Sequence, residues 1–293
     1  MNKQSRNIGK VLKKLEDLLP SYAINYDLLI SENISQLDQL LFQLKKDIQP
    51  QDLLIVVGGD GSLNQFITSY IRNDFKNAIG YIPAGSGNDF ARTHHIPTDT
   101  KKAIDYLLSI KNQQNLSIIT ANDNQQKHLA INSIGFGIDG LITHFVESKK
   151  EKEKMGSRSY LLGIFKGFVN QEKFSLRIKV DNQSYEFKKV QLAVIANNPY
   201  FGGGIKIAPH SSNKDKLLEV VIANDVSFKN LFSILAKLLI NQSHLSHPKI
   251  HSYQSEEIYL EIESNQYAQK DGEVFQQDSY HICFSTLELP FWL

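Results

Sequence analysis

Two short stretches that combine glycines with an acid are the residues best suited to chemistry. The first, Gly58-Gly59-Asp60-Gly61-Ser62-Leu63-Asn64-Gln65, follows the apolar run Leu53-Leu54-Ile55-Val56-Val57. Glycines let backbone amides approach phosphate oxygens with no Cβ in the way. A helix opening straight after the turn adds unpaired N–H groups and a positive partial charge. An aspartate in such a loop repels phosphate unless a cation stands between them, so Asp60 reads as a residue on the Mg2+ side of a bound nucleotide. The competing reading is a tight strand-to-helix turn with Asp60 as a helix cap, and on glycine content alone that reading is the better one.

A second loop shifts the balance. Ile82-Pro83-Ala84-Gly85-Ser86-Gly87-Asn88-Asp89-Phe90-Ala91-Arg92 repeats the plan of strand, small residues, and an acid where a helix begins. If the two strands are parallel, both turns fall at the same carboxyl edge of a sheet, where open α/β folds bind ligands. Neither loop contains Gly-x-x-x-x-Gly-Lys-Ser/Thr, and the second lacks the third glycine of the dinucleotide fingerprint, so P-loop ATPase and simple dehydrogenase readings lose ground. Asp271-Gly272-Glu273 is a further acidic turn. Taken alone it is no more than a surface turn.

The elements that must position these loops follow from periodicity. Lys10–Leu19 and Ile34–Ile48 read as helices and Ile24–Ile30 as a strand. Leu53–Val57 and Ala78–Ile82 read as buried strands, with a helix from Asp89 onward. After about Asn124 strands crowd together: Phe174–Val180, Tyr185–Ala196, Leu217–Ala223 and Ile258–Ile262 have few helices between them, which predicts a mostly antiparallel second domain. The expected division is 1–124 and 125–293, with the last residues returning to the first domain. Lys149–Lys154 is a charge run read as a solvated connector, contact with anionic headgroups being the alternative. Phe228–Ile240 is an apolar helical stripe, read as core with membrane docking as the alternative.

Composition narrows the function classes. Lys plus Arg number 32 against 31 Asp plus Glu, so no polycationic field exists to bind nucleic acid. The single cysteine, Cys283, forbids an internal disulfide, and Met1–Asn7 lacks the apolar stretch of a secretory signal; a cytoplasmic protein is expected. Leu231–Ile240, interrupted by Lys237, is about half the length that crosses a bilayer, so any membrane contact is peripheral. His94, His95, His244, His247 and His251 read as surface or packing histidines, because no acid or thiol completes a ligand set and Pro248 breaks their helical spacing.

With Asn132-Ser133-Ile134-Gly135-Phe136-Gly137-Ile138-Asp139, the run Ala196–Pro209 and Asp271-Gly272-Glu273, the two loops resemble the bacterial diacylglycerol kinase and lipid kinase family, block after block in order along nearly the whole chain. The resemblance implies a Rossmann-like nucleotide-binding α/β domain followed by a mainly antiparallel β-sandwich domain, with the active site in the cleft between them. It implies an ATP- and Mg2+-dependent kinase at the inner face of the membrane, acting on a lipid hydroxyl; diacylglycerol giving phosphatidic acid is the foremost case, and no local motif separates it from a polyprenol, a sphingoid base or a glycolipid. ATP would lie against Gly58, Gly59, Asp60, Gly61, Ser62, Leu63, Asn64 and Gln65 and against Gly85, Ser86 and Asn88, bordered by Ser31 and the turn Asn2–Arg6. Asp60 and Asp89 would organise the catalytic Mg2+, and Glu273 would accept the proton beside Asp271. Ser212, Asp215 and the carbonyl of Leu217 match the ligands of a second, structural Mg2+.

Departures are also visible. Gln65 stands where many relatives have Glu, Arg6 and Lys216 replace glycines, and Lys214 replaces an acid. The family has a strand before the Asn2–Arg6 loop, so an upstream-extended start is expected. Two rivals stand beside the lipid kinase: a soluble NAD-kinase-like enzyme, which shares the pattern at Gly58–Gly61, and an inactive lipid or nucleotide sensor. A homodimer is the commonest assembly for such a chain.

Overall fold

The computed structural model describes residues 8–123, 126–148 and 157–293, so the Asn2–Arg6 turn and the Lys149–Lys154 run lie outside the described residues. The chain forms two compact units, residues 1–116 with 288–293, and residues 117–287. The fold class is the expected one, an α/β unit and a mainly antiparallel β unit.

In unit 1, β1 (Leu54–Gly58) and β2 (Ile79–Pro83) pair in parallel, Leu54 opposite Ile79 and Gly58 opposite Pro83. Helices α1 (Ile8–Leu18), α2 (Ile34–Leu44), α3 (Asp60–Arg72), α4 (Asp89–Thr93) and α5 (Thr100–Ser109) complete the unit. Val57 and Ile82 from the strands meet Val11 and Leu15 of α1 and Ala103, Ile104 and Leu107 of α5 in one apolar cluster. Asn33 and Asp99 cap α2 and α5 through side-chain oxygens, satisfying amides that a helix start leaves orphaned.

The last residues of the chain stiffen this unit. Phe291 pairs in parallel with Ile79, the Trp292 amide donates to the Ile79 carbonyl at 2.8 Å, and the indole N–H donates to the Leu107 carbonyl at 2.9 Å. Phe291 is wholly buried, with its ring centroid 5.3 Å from that of Phe90 on α4.

The expected strand over Ile24–Ile30 is not formed. Residues 24–30 belong to no regular element, and Ile24, Tyr26, Leu28 and Leu29 are exposed. Apolar alternation specifies a strand only where a sheet edge supplies hydrogen-bond partners. Among the described strands β1 pairs with β2 alone, and a cavity of about 490 Å³ lined by Ile24, Leu53, Ile55 and Ile82 runs beside it.

Unit 2 takes in most of β3 (Gln114–Asn122), then β4 (Lys127–Ala130), β5 (Ser133–Gly137), α6 (Ile138–Ser148), α7 (Ser157–Asn170), β6 (Phe174–Val180) and β7 (Gln183–Ala196). The short pair β8 (Tyr200–Phe201) and β9 (Ile205–Lys206) precedes β10 (Leu218–Asn224), α8 (Phe228–Ile240), β11 (Ile250–Ser255), β12 (Ile258–Ile262), β13 (Gln266–Lys270), β14 (Glu273–Gln277) and β15 (Tyr280–Phe291). The register of β5 on β7, β7 on β10, β6 on β12 and β13 on β14 is antiparallel throughout.

β10 and the second half of β7, residues 190–196, are buried on both faces, which is why they read as nearly continuous apolar runs. Ala193, Ile195, Val220 and Ile222 point into a core shared with β5, β6, β12 and β15. Their alternates Val194, Ala196, Val221 and Ala223 point to the opposite face, where α6, α7 and α8 cover them. No helix among the described residues is long and apolar enough to cross a membrane.

Phe291 is the side chain through which the chain's end supports α4. Phe291→Ala is expected to cost about 3–5 kcal/mol of stability. Urea unfolding checks this, and a loss below about 1 kcal/mol would show that the ring is not needed to hold α4.

Candidate active site

At the loop edge of unit 1 the parallel register carries on past the strands: the Ala84 amide donates to the Gly58 carbonyl at 2.7 Å. The two loops therefore meet backbone to backbone. A Cβ built on Gly85 would lie 2.6 Å from the Cα of Gly59, and one on Gly59 would lie 3.1 Å from the Cα of Gly85. Only glycine allows that approach on the Gly85 side. Gly61 differs, because a Cβ there would meet no atom of the described residues within 4 Å.

Asn88 shapes the second loop. It adopts a left-handed conformation, φ 51°, which asparagine tolerates better than most residues. Its side chain closes on Gly85 twice, accepting from the Gly85 amide and donating to the Gly85 carbonyl, each at 3.0 Å. That leaves α4 with no cap from its own N-cap side chain. Asp60 supplies it instead: the Asp89 and Phe90 amides donate to Asp60 Oδ2 and Oδ1 at 3.0 and 3.1 Å. Asp89 itself is buried, with the Arg92 Nε 3.9 Å from Oδ1.

Below the loops the buried Tyr81 hydroxyl donates to the Gly58 carbonyl at 2.9 Å. Burial pushes its phenol pKa well up, and the nearby carboxylates of Asp60 and Asp89 add to the effect. Of the other residues expected here, Asn64, Leu63 and Ser31 have buried side chains and the Leu63 amide donates to the Gly59 carbonyl within α3. Ser62 and Gln65 are half-buried, while Ser86 is exposed.

In unit 2, Asp271 and Gly272 form the two-residue connection between β13 and β14, at φ 44° and 87°. Both positive angles fit the hairpin turn that an Asp-Gly pair favours. The Asp271 carboxylate does more than turn the chain. It accepts the amides of Ile131, Asn132 and Ser133 at 2.6, 2.9 and 3.2 Å, which ties the hairpin to the start of β5. Gln269 bridges the same region, donating to Asp139 Oδ2 at 2.6 Å and accepting from the Gly272 amide at 2.7 Å. Glu273 is the first residue of β14, 41% exposed, with the Lys270 ammonium 4.0 Å from Oε2.

The Ser212–Leu217 loop is closed by its own bonds. The Leu217 amide donates to Asp215 Oδ1 at 2.9 Å, an Asx turn, and the Lys214 amide donates to the Ser212 hydroxyl at 3.2 Å. The Asp215 carbonyl accepts from Ser117 Oγ at 2.7 Å. Among the described residues, no group of three or more His, Cys, Asp or Glu side chains could hold a metal ion.

Comparison with known proteins decides the family. Residues 1–120 match the diacylglycerol kinase catalytic domain, and residues 132–282 match the YegS C-terminal NAD kinase beta sandwich-like domain. The chain belongs to the diacylglycerol kinase and lipid kinase family. Relatives of this family include a protein of Staphylococcus aureus (strain bovine RF122 / ET3-1) named "Putative lipid kinase", 27% identical over 239 residues, 79% of this chain and 74% of that protein. A Staphylococcus aureus strain Newman protein of the same name shows the same identity and coverage. The fold is shared with a solved structure titled as a "putative diacylglycerol kinase" from Bacillus anthracis strain Sterne, at TM-score 0.78 and 21% identity over 98% of this chain and 92% of that one. A kinase of this family uses ATP as co-substrate.

The family blocks recognised in the sequence now have physical content in this kinase. A Cβ on Gly135 would lie 1.9 Å from the Asp139 carboxylate, and one on Gly140 would lie 2.3 Å from the Tyr267 backbone. Asn198 donates to the Ile131 carbonyl and to Asn132 Oδ1 at 2.8 and 3.0 Å. Gln269 and Tyr81 were not singled out by sequence reasoning. Gln269 lies two residues before Asp271, the only local signal that could have drawn attention to it.

Two carboxylates of the lipid kinase are thus backbone clamps. Asp271→Ala strips the acceptor from three amides and is expected to lower unfolding free energy by about 2–4 kcal/mol. Urea titration of the variant checks this, and a midpoint equal to that of wild type would count against the clamp.

Proposed function

We propose that the chain is an ATP- and Mg2+-dependent kinase that phosphorylates the hydroxyl of diacylglycerol at the inner face of the membrane, giving phosphatidic acid and ADP. The observation that carries this reading is the difference among the loop glycines. Gly59 and Gly85 are explained by their mutual contact, whereas no atom of the described residues crowds Gly61 at the start of α3. A helix start with an uncrowded backbone suits the phosphates of a nucleotide. In this proposal the ATP site takes in Gly58, Gly59, Gly61, Ser62, Asn64, Gln65, Gly85, Ser86 and Asn88.

The donors fit a hard divalent cation. Asp60 and Asp89 are neighbours through the bond from the Asp89 amide to Asp60 Oδ2, and carboxylate oxygens are what Mg2+ takes. When bound, Mg2+ offsets the charge of the phosphates and helps orient the γ-phosphoryl group. The loop of Ser212, Asp215 and Leu217 offers one carboxylate flanked by Lys214 and Lys216, so the metal of the reaction is assigned to Asp60 and Asp89.

Glu273 is proposed as the proton acceptor. As the lipid O–H bond breaks toward its carboxylate, the lipid oxygen bonds to the γ-phosphorus and the bond from that phosphorus to the β,γ-bridging oxygen of the ADP leaving group breaks. Asp271 acts as a positioning residue in this scheme, since its oxygens hold amides of the β5 approach.

The deciding assay is radiolabel transfer from ATP to diacylglycerol, a polyprenol, a sphingoid base, a glycolipid and NAD in mixed micelles. Label is expected in phosphatidic acid, and label on NAD alone would replace this reading by a nucleotide kinase. Glu273→Gln is expected to reduce transfer by about a thousandfold with ATP affinity roughly intact. Asp60→Ala is expected to eliminate transfer, and residual turnover with unchanged Mg2+ dependence would remove Asp60 from the metal site.

A further inference from the structure

The helix α8 is apolar on two faces. Leu231, Ile234, Leu235 and Leu238 are buried against β7 and β10, as a core stripe should be. Yet Phe228, Phe232, Leu239 and Ile240 on the same helix are 54%, 61%, 53% and 83% exposed. Val169 of α7 adds another exposed apolar side chain. The two helices present one surface, because Phe165 lies 5.5 Å from Phe232 and Phe168 lies 4.9 Å from Phe228 between ring centroids. Large apolar side chains gathered in this way mark a contact surface, unlike singly scattered ones.

Charge identifies the partner. Neither α7 nor α8 contains an acidic residue, and Lys166 and Lys229 are exposed on them. Just before α8, Asp225 is shared by three lysines, with Lys249, Lys173 and Lys189 at 3.1, 3.8 and 3.9 Å. One carboxylate against three ammonium groups leaves the cluster net positive beside the apolar face. Aromatic and aliphatic side chains with a basic surround fit the headgroup and acyl boundary of an anionic bilayer.

We propose that the outward face of α7 and α8 docks unit 2 on a membrane carrying anionic lipids, with Phe228, Phe232 and Ile240 entering the interface and Lys166, Lys229 and the Asp225 cluster facing the headgroups. The choice of a bilayer as partner rests on the lipid-kinase reading. The surface features themselves do not.

Flotation of the full chain with phosphatidylcholine vesicles, with and without phosphatidylglycerol, tests the docking. Wild type is expected to float with the phosphatidylglycerol vesicles, less so at high salt. The triple variant Phe228→Ser, Phe232→Ser, Ile240→Ser is expected to lose at least about tenfold in partitioning. Lys166→Glu with Lys229→Glu is expected to erase the preference for anionic vesicles, and it tests the surface independently should the triple variant fold poorly. Both variants are expected to keep the wild-type melting temperature and wild-type transfer to short-chain diacylglycerol in detergent micelles.

The docking is overturned if wild type stays in solution with anionic vesicles, or if both variants float as wild type does. It is also overturned if sedimentation shows a wild-type dimer that the triple variant splits with vesicle binding unchanged, which would assign the face to a second copy. If wild type floats and the variants do not, docking stands even where no lipid is phosphorylated, and only the transfer reading falls.

Discussion

The carboxylate of Asp60 receives the first two amides of α4, and the loop edge of unit 1 is built around that bond pair. The need for it can be traced step by step. The parallel register of β1 on β2 brings the two turns side by side, and their glycines let the backbones touch. Asn88 spends its side chain on closing the second turn at Gly85, so α4 begins without a cap of its own. Buried orphan amides cost roughly 1–3 kcal/mol each, and the nearest acceptor belongs to the other loop. Asp60 is therefore structurally required before any nucleotide or metal arrives.

That bond also shows where sequence reading stops. The positions of both loops follow from apolar runs that end at glycines, and their common edge follows from parallel pairing. The helix-cap reading of Asp60 named the right interaction and assigned it to the wrong helix, since its amide partners lie 29 and 30 residues further on. The Ile24–Ile30 segment fails for a related reason. Its alternation is visible in the residues, but a ladder is a property of two strands, and residues 24–30 are assigned to none. The stripe of α8 was legible as core, and the buried half is core. Periodicity does not separate the exposed half from the buried one, because aromatic and aliphatic residues on both faces blur the one-sided pattern, which is why core and membrane docking stand there as alternative readings.

Unit 2 repeats the lesson with different parts. β10 and the second half of β7 are readable because a strand covered on both sides has no polar alternation to hide it. The polar network at the β13–β14 turn was not readable: Asp271 reaches back 138 to 140 residues to its amides, and Gln269 reaches back 130 to Asp139. Gly135 belongs to one of the family blocks, with no role that its sequence spells out, and Gly140 follows that block directly. In the fold they are strand and helix positions where the Asp139 carboxylate and the Tyr267 backbone leave no room for a Cβ. Close packing thus accounts for Gly59, Gly85, Gly135 and Gly140, whereas no atom of the described residues crowds Gly61.

The acids divide in the same way, and the division bears on which of them can do chemistry. Asp271 accepts three backbone amides, Asp139 receives Gln269, and the wholly buried Glu219 accepts the His210 amide and the hydroxyls of Ser211 and Ser252. Oxygens committed to fixed donors hold backbone in place, and taking up a proton would cost those bonds. A proton acceptor needs a carboxylate that can reach a mobile hydroxyl. Glu273 is displaced from Asp271 by one glycine, sits at the start of a strand, and is 41% exposed, with the Lys270 ammonium 4.0 Å from Oε2. The first acid of the turn anchors the hairpin, and in the proposed mechanism that anchoring gives the second acid a fixed point from which to act.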